Sequence, residues 1–173
     1  FFFFVLAFAG SDTTKNALAI GLQAFVANPD QIERYREDES VRSSAVEEVL
    51  RWASPVAYWT RSTKVDIEMD GQHIPKGERV VSMLRSANRD EEVFESPFTF
   101  DIGRQPNPHV AFGGGGAHHC LGAMLARAEI RAVLDELLLR CDSITLGPAE
   151  VAYPNLTTNM SIYDEMPITL TAR

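Results

Sequence analysis

Residues 112–122 read Phe-Gly-Gly-Gly-Gly-Ala-His-His-Cys-Leu-Gly, and no other segment of the chain is as informative. Four consecutive glycines let the backbone pass close to a bulky flat group, where a Cβ atom would collide. Cys120 follows them at the start of a predicted helix, whose free N–H groups and dipole favour the thiolate form. Gly122 keeps that helix close to whatever the sulfur binds. The segment is therefore a candidate site for a cysteine that serves as a ligand.

The loop by itself leaves several ligands open. A thiolate at Cys120 could bind haem iron and donate electron density that promotes O–O cleavage. A glycine loop before a helix could bind phosphate, but this one lacks the Gly-Lys-Ser/Thr ending. His118, His119 and Cys120 could bind zinc, although adjacent ligands are sterically awkward and no second cluster completes a tetrahedron. A buried cysteine without any ligand is the simplest alternative.

Composition narrows the class of protein. The chain has 173 residues, 45% of them hydrophobic, which suits one domain or part of a larger one. A net charge of -8 argues against a nucleic-acid partner. Two cysteines, Cys120 and Cys141, are too few for a disulfide framework and favour a reducing cytoplasm. The apolar run over residues 1–8 is too short for a membrane anchor, so we expect a buried helix cut in its middle.

The hydrophobic pattern predicts a mainly α, α+β fold, and no linker divides residues 1–173 into two domains. The first helix is apolar on nearly every face, so we expect it to be buried in a larger body. We expect helices over residues 1–27, 29–38, 40–53 and 121–140, and short strands over residues 58–63, 65–69, 79–84, 144–146 and 168–170. A long irregular segment, residues 86–119, carries the cysteine loop, and a loop of this length is usually either functional or disordered.

A second motif lies on the first helix, where residues 9–14 read Ala-Gly-Ser-Asp-Thr-Thr. Such residues are unfavourable in the middle of a helix. Gly10 opens space beside the backbone, and Thr13 can take a hydrogen bond that loosens the helix. A bulge that holds dioxygen and a short water chain is one interpretation, with Asp12 relaying protons and Thr13 hydrogen-bonded to an iron-bound peroxide. The alternative is an ordinary helix in which Thr13 bonds back to its own backbone.

A third motif, Glu48 and Arg51, is spaced so that both side chains share one face of a helix. At the surface such a pair would contribute little. Because Val49 and Leu50 lie beside it, the pair could instead be buried and anchor the loop that carries Cys120. Arg104 in that loop is the natural third partner.

Taken in their order along the chain, the helix motif, the Glu-Arg pair and the cysteine loop resemble motifs of the cytochrome P450 superfamily. The resemblance covers essentially all 173 residues. The resemblance is to the C-terminal part of that fold, from the middle of its long oxygen-binding helix to its end, with an N-terminal part missing. The family motif Ala/Gly-Gly-x-Asp/Glu-Thr falls on residues 9–13, Glu-x-x-Arg on Glu48 and Arg51, the meander on residues 94–98, and Cys-x-Gly on Cys120 and Gly122. Phe112 departs from the pattern, because it lies eight rather than seven residues before the cysteine, which indicates a one-residue insertion before Gly114.

The resemblance implies a haem b cofactor with Cys120 as the thiolate ligand of its iron. It implies that Arg61 and His118 bind the haem propionates and that Val56, Ala57 and Tyr58 line the substrate pocket. The remaining residues expected to contact the haem are Ala9, Gly10, Phe112, Gly113, Gly114, Gly122 and Ala126. We expect His109 to cap backbone carbonyls in the loop rather than to contact a propionate.

The resemblance also implies an activity, insertion of one oxygen atom of O2 into a C–H bond by a monooxygenase of the bacterial cytoplasm. Electrons would come from NAD(P)H through a ferredoxin and ferredoxin reductase. Residues 85–91 and 106–110 resemble a bacterial subgroup that hydroxylates sterol side chains or methyl-branched lipids. Two alternatives remain, a haem-thiolate carrier or sensor that does not oxidise, and an inactive fragment of the enzyme.

Overall fold

The computed structural model describes residues 2–148, 150–152, 160 and 162–173. The α-helices are α1 (Phe2–Ala27), α2 (Pro29–Glu37), α3 (Arg42–Ala53), α4 (Leu84–Ala87) and α5 (Ala123–Arg140). The strands are β1 (Trp59–Ser62), β2 (Ile67–Met69), β3 (Gln72–Ile74), β4 (Arg79–Ser82), β5 (Cys141–Leu146), β6 (Glu150–Ala152), β7 (Ile162–Glu165) and β8 (Ile168–Ala172). The prediction of a mainly helical chain with small sheets is confirmed. Phe1, with which the first helix was expected to begin, lies outside the described residues.

Local hydrogen bonds shift several helix ends from their predicted positions. The side chain of Asp38 accepts a hydrogen bond from the Ser40 N–H at 2.8 Å and starts a 3-10 turn, Glu39–Val41, so that α3 begins at Arg42. The helix ends at Ala53 as predicted, because Ser54 adopts a left-handed conformation (φ 38°) and donates its N–H to Leu50 O at 3.0 Å.

The strands pair in antiparallel couples, β1 with β4, β2 with β3, β5 with β8 and β6 with β7. The Asp70-Gly71 turn was predicted, and both of its residues have positive φ (48° and 74°), as a tight two-residue hairpin requires. It joins Met69 to its partner Gln72 and so creates β3, which was not predicted. The two predicted tail strands extend to β5 and β8 and pair with each other.

The core forms where the second half of α1 crosses α3 and α5. At the crossing of α1 and α3 the helices are so close that a Cβ atom on Gly21 would lie 2.8 Å from Val49 Cγ1. The aromatic rings of Phe25 and Phe100 meet edge to face, with centroids 5.1 Å apart. Apolar side chains of this core include Ala17, Leu22, Tyr35, Val46, Leu50, Ile102, Ile130, Leu134 and Leu138.

The first half of α1 does not share in this core. Phe3 is 83% exposed and Phe8 is 62% exposed, whereas Ala17 is 1% exposed. The prediction that these first turns are buried within a larger body therefore stays a prediction, and in this chain by itself Phe3 and Phe8 are exposed. Among the described residues, none of the helices combines the length and the apolar character needed to cross a membrane.

Candidate functional site

The cysteine loop closes on itself between Phe112 and Cys120. The Cys120 N–H donates to Phe112 O at 3.1 Å, and Ala123 N–H donates to Cys120 O at 3.3 Å at the start of α5. Gly113, Gly115 and Gly116 have φ of 90°, 94° and 77°, which side chains other than glycine rarely adopt. A Cβ on Gly115 or Gly116 would meet no atom within 4 Å, so in this chain the left-handed backbone, rather than close contact, requires glycine there.

Gly122 lies beside the sulfur of Cys120. A Cβ at this position would lie 3.9 Å from Cys120 Sγ, which is an ordinary contact distance. The sulfur therefore does not by itself exclude a side chain at residue 122. The thiol of Cys120 is free and exposed, whereas that of Cys141 is free and buried.

A cavity of about 600 Å³ lies between α1 and the Cys120 loop with the first turns of α5. Cys120 and Phe112 line it on one side, and Gly10 and Thr13 line it on the other. A Cβ atom on Gly10 would meet no atom within 4 Å, so the space beside this part of α1 is open. The predicted residues that share the cavity are Ala9, Gly10, Thr13, Phe112, Cys120, Gly122 and Ala126. Sequence reasoning had not pointed to Leu18, Leu121 or Leu125, which also line it.

The predicted bulge in α1 is not present. The helix is continuous from Phe2 to Ala27, and Thr13 Oγ1 donates to Ala9 O at 2.8 Å, which is the alternative that the sequence left open. The Asp12 carboxylate pairs with Lys15 Nζ at 3.3 Å and is 35% exposed. Helix geometry alone satisfies the Thr13 hydroxyl here, because a backbone carbonyl four residues earlier is within reach.

Other predicted haem and substrate residues do not line this cavity. Arg61 is exposed on β1, where its Nη1 donates to Thr60 O at 3.1 Å. His118 is exposed in the 3-10 turn Gly116–His118. Residues 56–58 are half-buried, and Val56 bridges to Met160. The predicted site residues outside the cavity lining are Asp12, Val56, Ala57, Tyr58, Arg61, Gly113, Gly114 and His118.

Glu48 and Arg51 form an ion pair in which both side chains are 0% exposed. Arg51 Nη2 lies 2.8 Å from Glu48 Oε1, and Arg51 Nε lies 2.8 Å from Glu48 Oε2. Arg104 Nε approaches Glu48 Oε2 at 3.2 Å, so it is the third partner that the sequence indicated. Arg51 Nη1 also donates to the backbone carbonyls of Asn88 (2.8 Å) and Pro97 (2.9 Å). The pair thus ties α3 to the segment that precedes the cysteine loop.

Asn88 is a buried anchor that sequence reasoning missed. Its Nδ2 donates to Ser54 Oγ at 2.8 Å, and its Oδ1 accepts the Val110 N–H at 2.8 Å. It therefore connects the end of α3 to the irregular segment just before Phe112. No spacing in the sequence marks it, because an asparagine in a long loop has many ordinary roles.

His109 does not cap backbone carbonyls, so that expectation was wrong. Its Nδ1 accepts the Ala111 N–H at 3.2 Å, and its Nε2 lies 2.9 Å from Glu47 Oε2. Glu47 also binds Arg127, with Nε at 2.7 Å from Oε1. Burial raises the pKa of Glu47, but the hydrogen bonds from His109 and Arg127 outweigh it and lower that pKa to about 2. The Glu47-Glu48 doublet was the one signal in the sequence that could have pointed to this cluster.

Comparison with known proteins shows the family to which the chain belongs. The family model for cytochrome P450 matches residues 2–161. The chain belongs to the cytochrome P450 family. It is 50% identical over 137 residues to a steroid C26-monooxygenase of Mycolicibacterium smegmatis and, over the same length, to a methyl-branched lipid omega-hydroxylase of Mycobacterium tuberculosis. Each alignment covers 79% of this chain and 32% of the relative, so the chain spans about a third of the length of these relatives.

Solved cytochrome P450 structures share the fold. One from Mycobacterium marinum, in complex with pseudoionone, superposes with a TM-score of 0.89 at 41% identity and covers 97% of this chain and 40% of that one. P450BioI, in complex with an acyl carrier protein ligated to hexadec-9Z-enoic acid, has a TM-score of 0.89 at 37% identity and covers 96% and 42%. These likenesses confirm the predicted fold class.

The residues around the cavity fit a haem b group. Cys120 offers an exposed thiol, the donor that binds haem iron in P450 enzymes. The open space beside Gly10 faces the same cavity, and apolar side chains such as Leu18 and Leu125 complete its walls. In the part of the chain that the structure describes, no three His, Cys, Asp or Glu side chains cluster in a way that could hold a metal ion.

Proposed function

We propose that this chain carries the haem-thiolate site of a monooxygenase that inserts one oxygen atom of O2 into a C–H bond of a hydrophobic substrate. One observation carries the proposal: Cys120 and Thr13, which lie far apart in the sequence, line the same largely apolar cavity. Haem b bound there would supply dioxygen activation at its iron, and electron donation from the thiolate would promote O–O cleavage. The balance is one C–H bond, O2, two electrons and two protons giving one alcohol and one water.

Three residues of the cavity, and Asp12 beside it, have separate tasks in this proposal. Cys120 would give up its thiol proton and hold the haem iron. Gly10 would leave room for dioxygen beside α1, because it carries no side chain. Thr13 would turn its hydroxyl from Ala9 O, to which it donates at 2.8 Å, into the cavity, where it could donate a hydrogen bond. Asp12 would bring protons from solvent, and its 35% exposure and its contact with Lys15 suit that task.

The haem carboxylates would meet Arg61 and His118. Both side chains are exposed, so a cation and an imidazole are accessible to the propionate groups. Gly113, Gly114, Phe112 and Gly122 would contact the macrocycle together with residues 9–10 and Ala126. The Glu48, Arg51 and Arg104 cluster would hold the loop in place from behind.

The substrate that we propose is a steroid side chain or a methyl-branched lipid. The names of two relatives that are 50% identical to the chain support this, since they describe a steroid C26-monooxygenase and a methyl-branched lipid omega-hydroxylase. Val56, Ala57 and Tyr58 would face such a substrate. Electrons would come from NAD(P)H through a ferredoxin and its reductase in the bacterial cytoplasm.

The test is the absorption spectrum of the reduced, carbon-monoxide-bound form of the natural protein that carries this chain. We expect a thiolate-type Soret band, its loss in Cys120→Ala, and its retention in the matched control Cys141→Ala, because Cys141 is buried away from the cavity. Absence of the band from the unmodified protein would overturn the proposal. A thiolate band without oxygen-dependent hydroxylation of a steroid or a branched lipid would leave a carrier or a sensor as the function.

A further inference from the structure

Two neighbouring carboxylates on α3 hold different parts of the chain. Glu48 binds Arg51 and Arg104, and so holds the segment before the cysteine loop. Glu47 instead contacts residues on both sides of Cys120: His109, which precedes the glycines, and Arg127, which lies in the second turn of α5. Glu47 is therefore a bridge across the base of the loop that carries the ligand.

The hydrogen bonds of His109 fix the orientation of its ring. Its Nδ1 accepts the backbone N–H of Ala111 at 3.2 Å. Its Nε2 lies 2.9 Å from Glu47 Oε2, and its side chain is 4% exposed. Glu47 and Arg127 form the oppositely charged pair of this cluster.

Arg127 carries its charge close to the cavity. Its guanidinium carbon lies 4.6 Å from the centre of the Phe112 ring, and Phe112 lines the cavity together with Cys120. Hydrogen bonding to Glu47 raises the pKa of Arg127. The guanidinium therefore carries a positive charge behind the ring of Phe112, a residue that lines the cavity together with Cys120.

Glu47 determines where that positive charge stays. It binds Arg127 through two contacts, Nε to Oε1 at 2.7 Å and Nη2 to Oε2 at 2.9 Å. Two parallel contacts of this kind fix the plane of a guanidinium as well as its distance. Both groups are about 30% exposed, so the pair is partly shielded from solvent and its charges are not fully screened.

We propose that Glu47 is a positioning residue for the thiolate ligand: it holds the Arg127 guanidinium over Phe112 and offsets its charge, and so sets how much electron density Cys120 donates to the haem iron. This inference rests on the proposed function, because it requires haem bound through Cys120. An unbalanced positive charge near the sulfur would stabilise the electrons on the thiolate and make the iron easier to reduce. An unbalanced negative charge would do the opposite.

The experiment measures the reduction potential of the haem in the natural protein that carries this chain. Glu47→Gln leaves the Arg127 charge unbalanced, so we expect a shift to a more positive potential. Arg127→Gln leaves the Glu47 charge unbalanced, so we expect a shift to a more negative one. The double variant should return close to the unmodified value, because both charges are then absent. The control is Glu136→Gln, which removes an exposed carboxylate of the same helix as Arg127 and should leave the potential unchanged.

The sign of the two shifts separates positioning from a purely structural role. A general loosening of the loop would move both single variants in the same direction, and that result would overturn the inference, as would no shift in either. If Glu47→Gln does not retain haem, Arg127→Gln decides alone, and a positive shift or none in that variant rejects the inference. An unmodified protein without a thiolate-type band would instead reject the proposed function on which the inference depends.

Discussion

Arg51 Nη2 lies 2.8 Å from Glu48 Oε1, and both side chains are completely buried at the end of α3. The guanidinium is also packed against the Phe94 ring, 5.3 Å from its centre. Because Arg51 donates to backbone carbonyls at Asn88 and Pro97, this one side chain joins α3 to a segment without regular structure. The conformation of that segment, and of the cysteine loop after it, therefore depends on the buried positive charge of Arg51, which requires Glu48 as its counter-ion.

Replacing Glu48 with glutamine should therefore be strongly destabilising. It leaves the positive charge of Arg51 buried without its counter-ion, which costs about 3–5 kcal/mol in comparable pairs. The measurement is the free energy of unfolding from urea denaturation. Glu136→Gln is the matched control, since Glu136 pairs with Arg140 at the surface at 3.0 Å and should change the free energy by less than about 1 kcal/mol. Equal effects of the two variants would contradict the prediction.

Two glycines of α1 should respond oppositely to alanine. At Gly21 a Cβ would lie 2.8 Å from Val49 Cγ1, and overpacking of this kind costs about 1–3 kcal/mol. At Gly10 a Cβ would meet no atom within 4 Å, so alanine should stabilise the helix by about 0.5–1 kcal/mol. Thermal unfolding of the two variants of this chain measures the difference. Adding Val49→Ala should relieve part of the Gly21→Ala defect, and strictly additive effects would argue against the predicted contact.

Glu47 should make stability depend on pH in the acid range. Its pKa in the folded chain is about 2, below the ordinary value of 4.5, because hydrogen bonds from His109 and Arg127 outweigh the effect of burial. Stability from this group is fully present above pH about 4.5 and is lost as the pH falls towards 2. The difference in unfolding free energy between the unmodified chain and Glu47→Gln should therefore shrink as the pH is lowered. A difference that stays constant through that range would contradict the assignment.

Thr13→Ala in the natural protein should retain the thiolate-type spectrum but lose coupling between electron consumption and product. The hydroxyl that we propose for hydrogen bonding to bound oxygen is removed, so reducing equivalents should leave as hydrogen peroxide. The measurement is the ratio of peroxide formed to NAD(P)H consumed. Thr13→Ser is the matched control, because it keeps the hydroxyl and should keep most of the coupling. Full coupling in the alanine variant would remove Thr13 from the proposed proton path.

Local patterns were sufficient to predict the main helices, the Asp70-Gly71 turn and the three motifs. Each of these is encoded within a few consecutive residues, by apolar period, by turn chemistry or by spacing along one helix face. The hydrogen-bond partner of the Thr13 hydroxyl could not be predicted, because the same sequence is compatible with a bulge in the helix and with a hydrogen bond to Ala9 O. The exposure of Phe3 and Phe8 could not be predicted either, because it depends on which other elements pack against α1.

The contacts of Glu47, Asn88 and His109 could not be predicted from local sequence patterns. Glu47 meets partners on two segments that are distant in the chain, and Asn88 joins Ser54 to Val110. Such contacts arise when helices pack and bring loops together, and no spacing within one segment marks them.

The sequence by itself determined which residues are candidates to carry chemistry, namely a cysteine after a glycine loop, an acid and an alcohol on the first helix, and a Glu-x-x-Arg pair. These are properties of residue type and short-range spacing. Only the tertiary structure decided that Cys120, Gly10 and Thr13 share one cavity, that Glu48 and Arg51 are fully buried, and that Glu47 bridges the two sides of the cysteine loop. The physical reason is that burial and long-range contact depend on how α1, α3 and α5 pack against one another, and packing is a property of the whole fold.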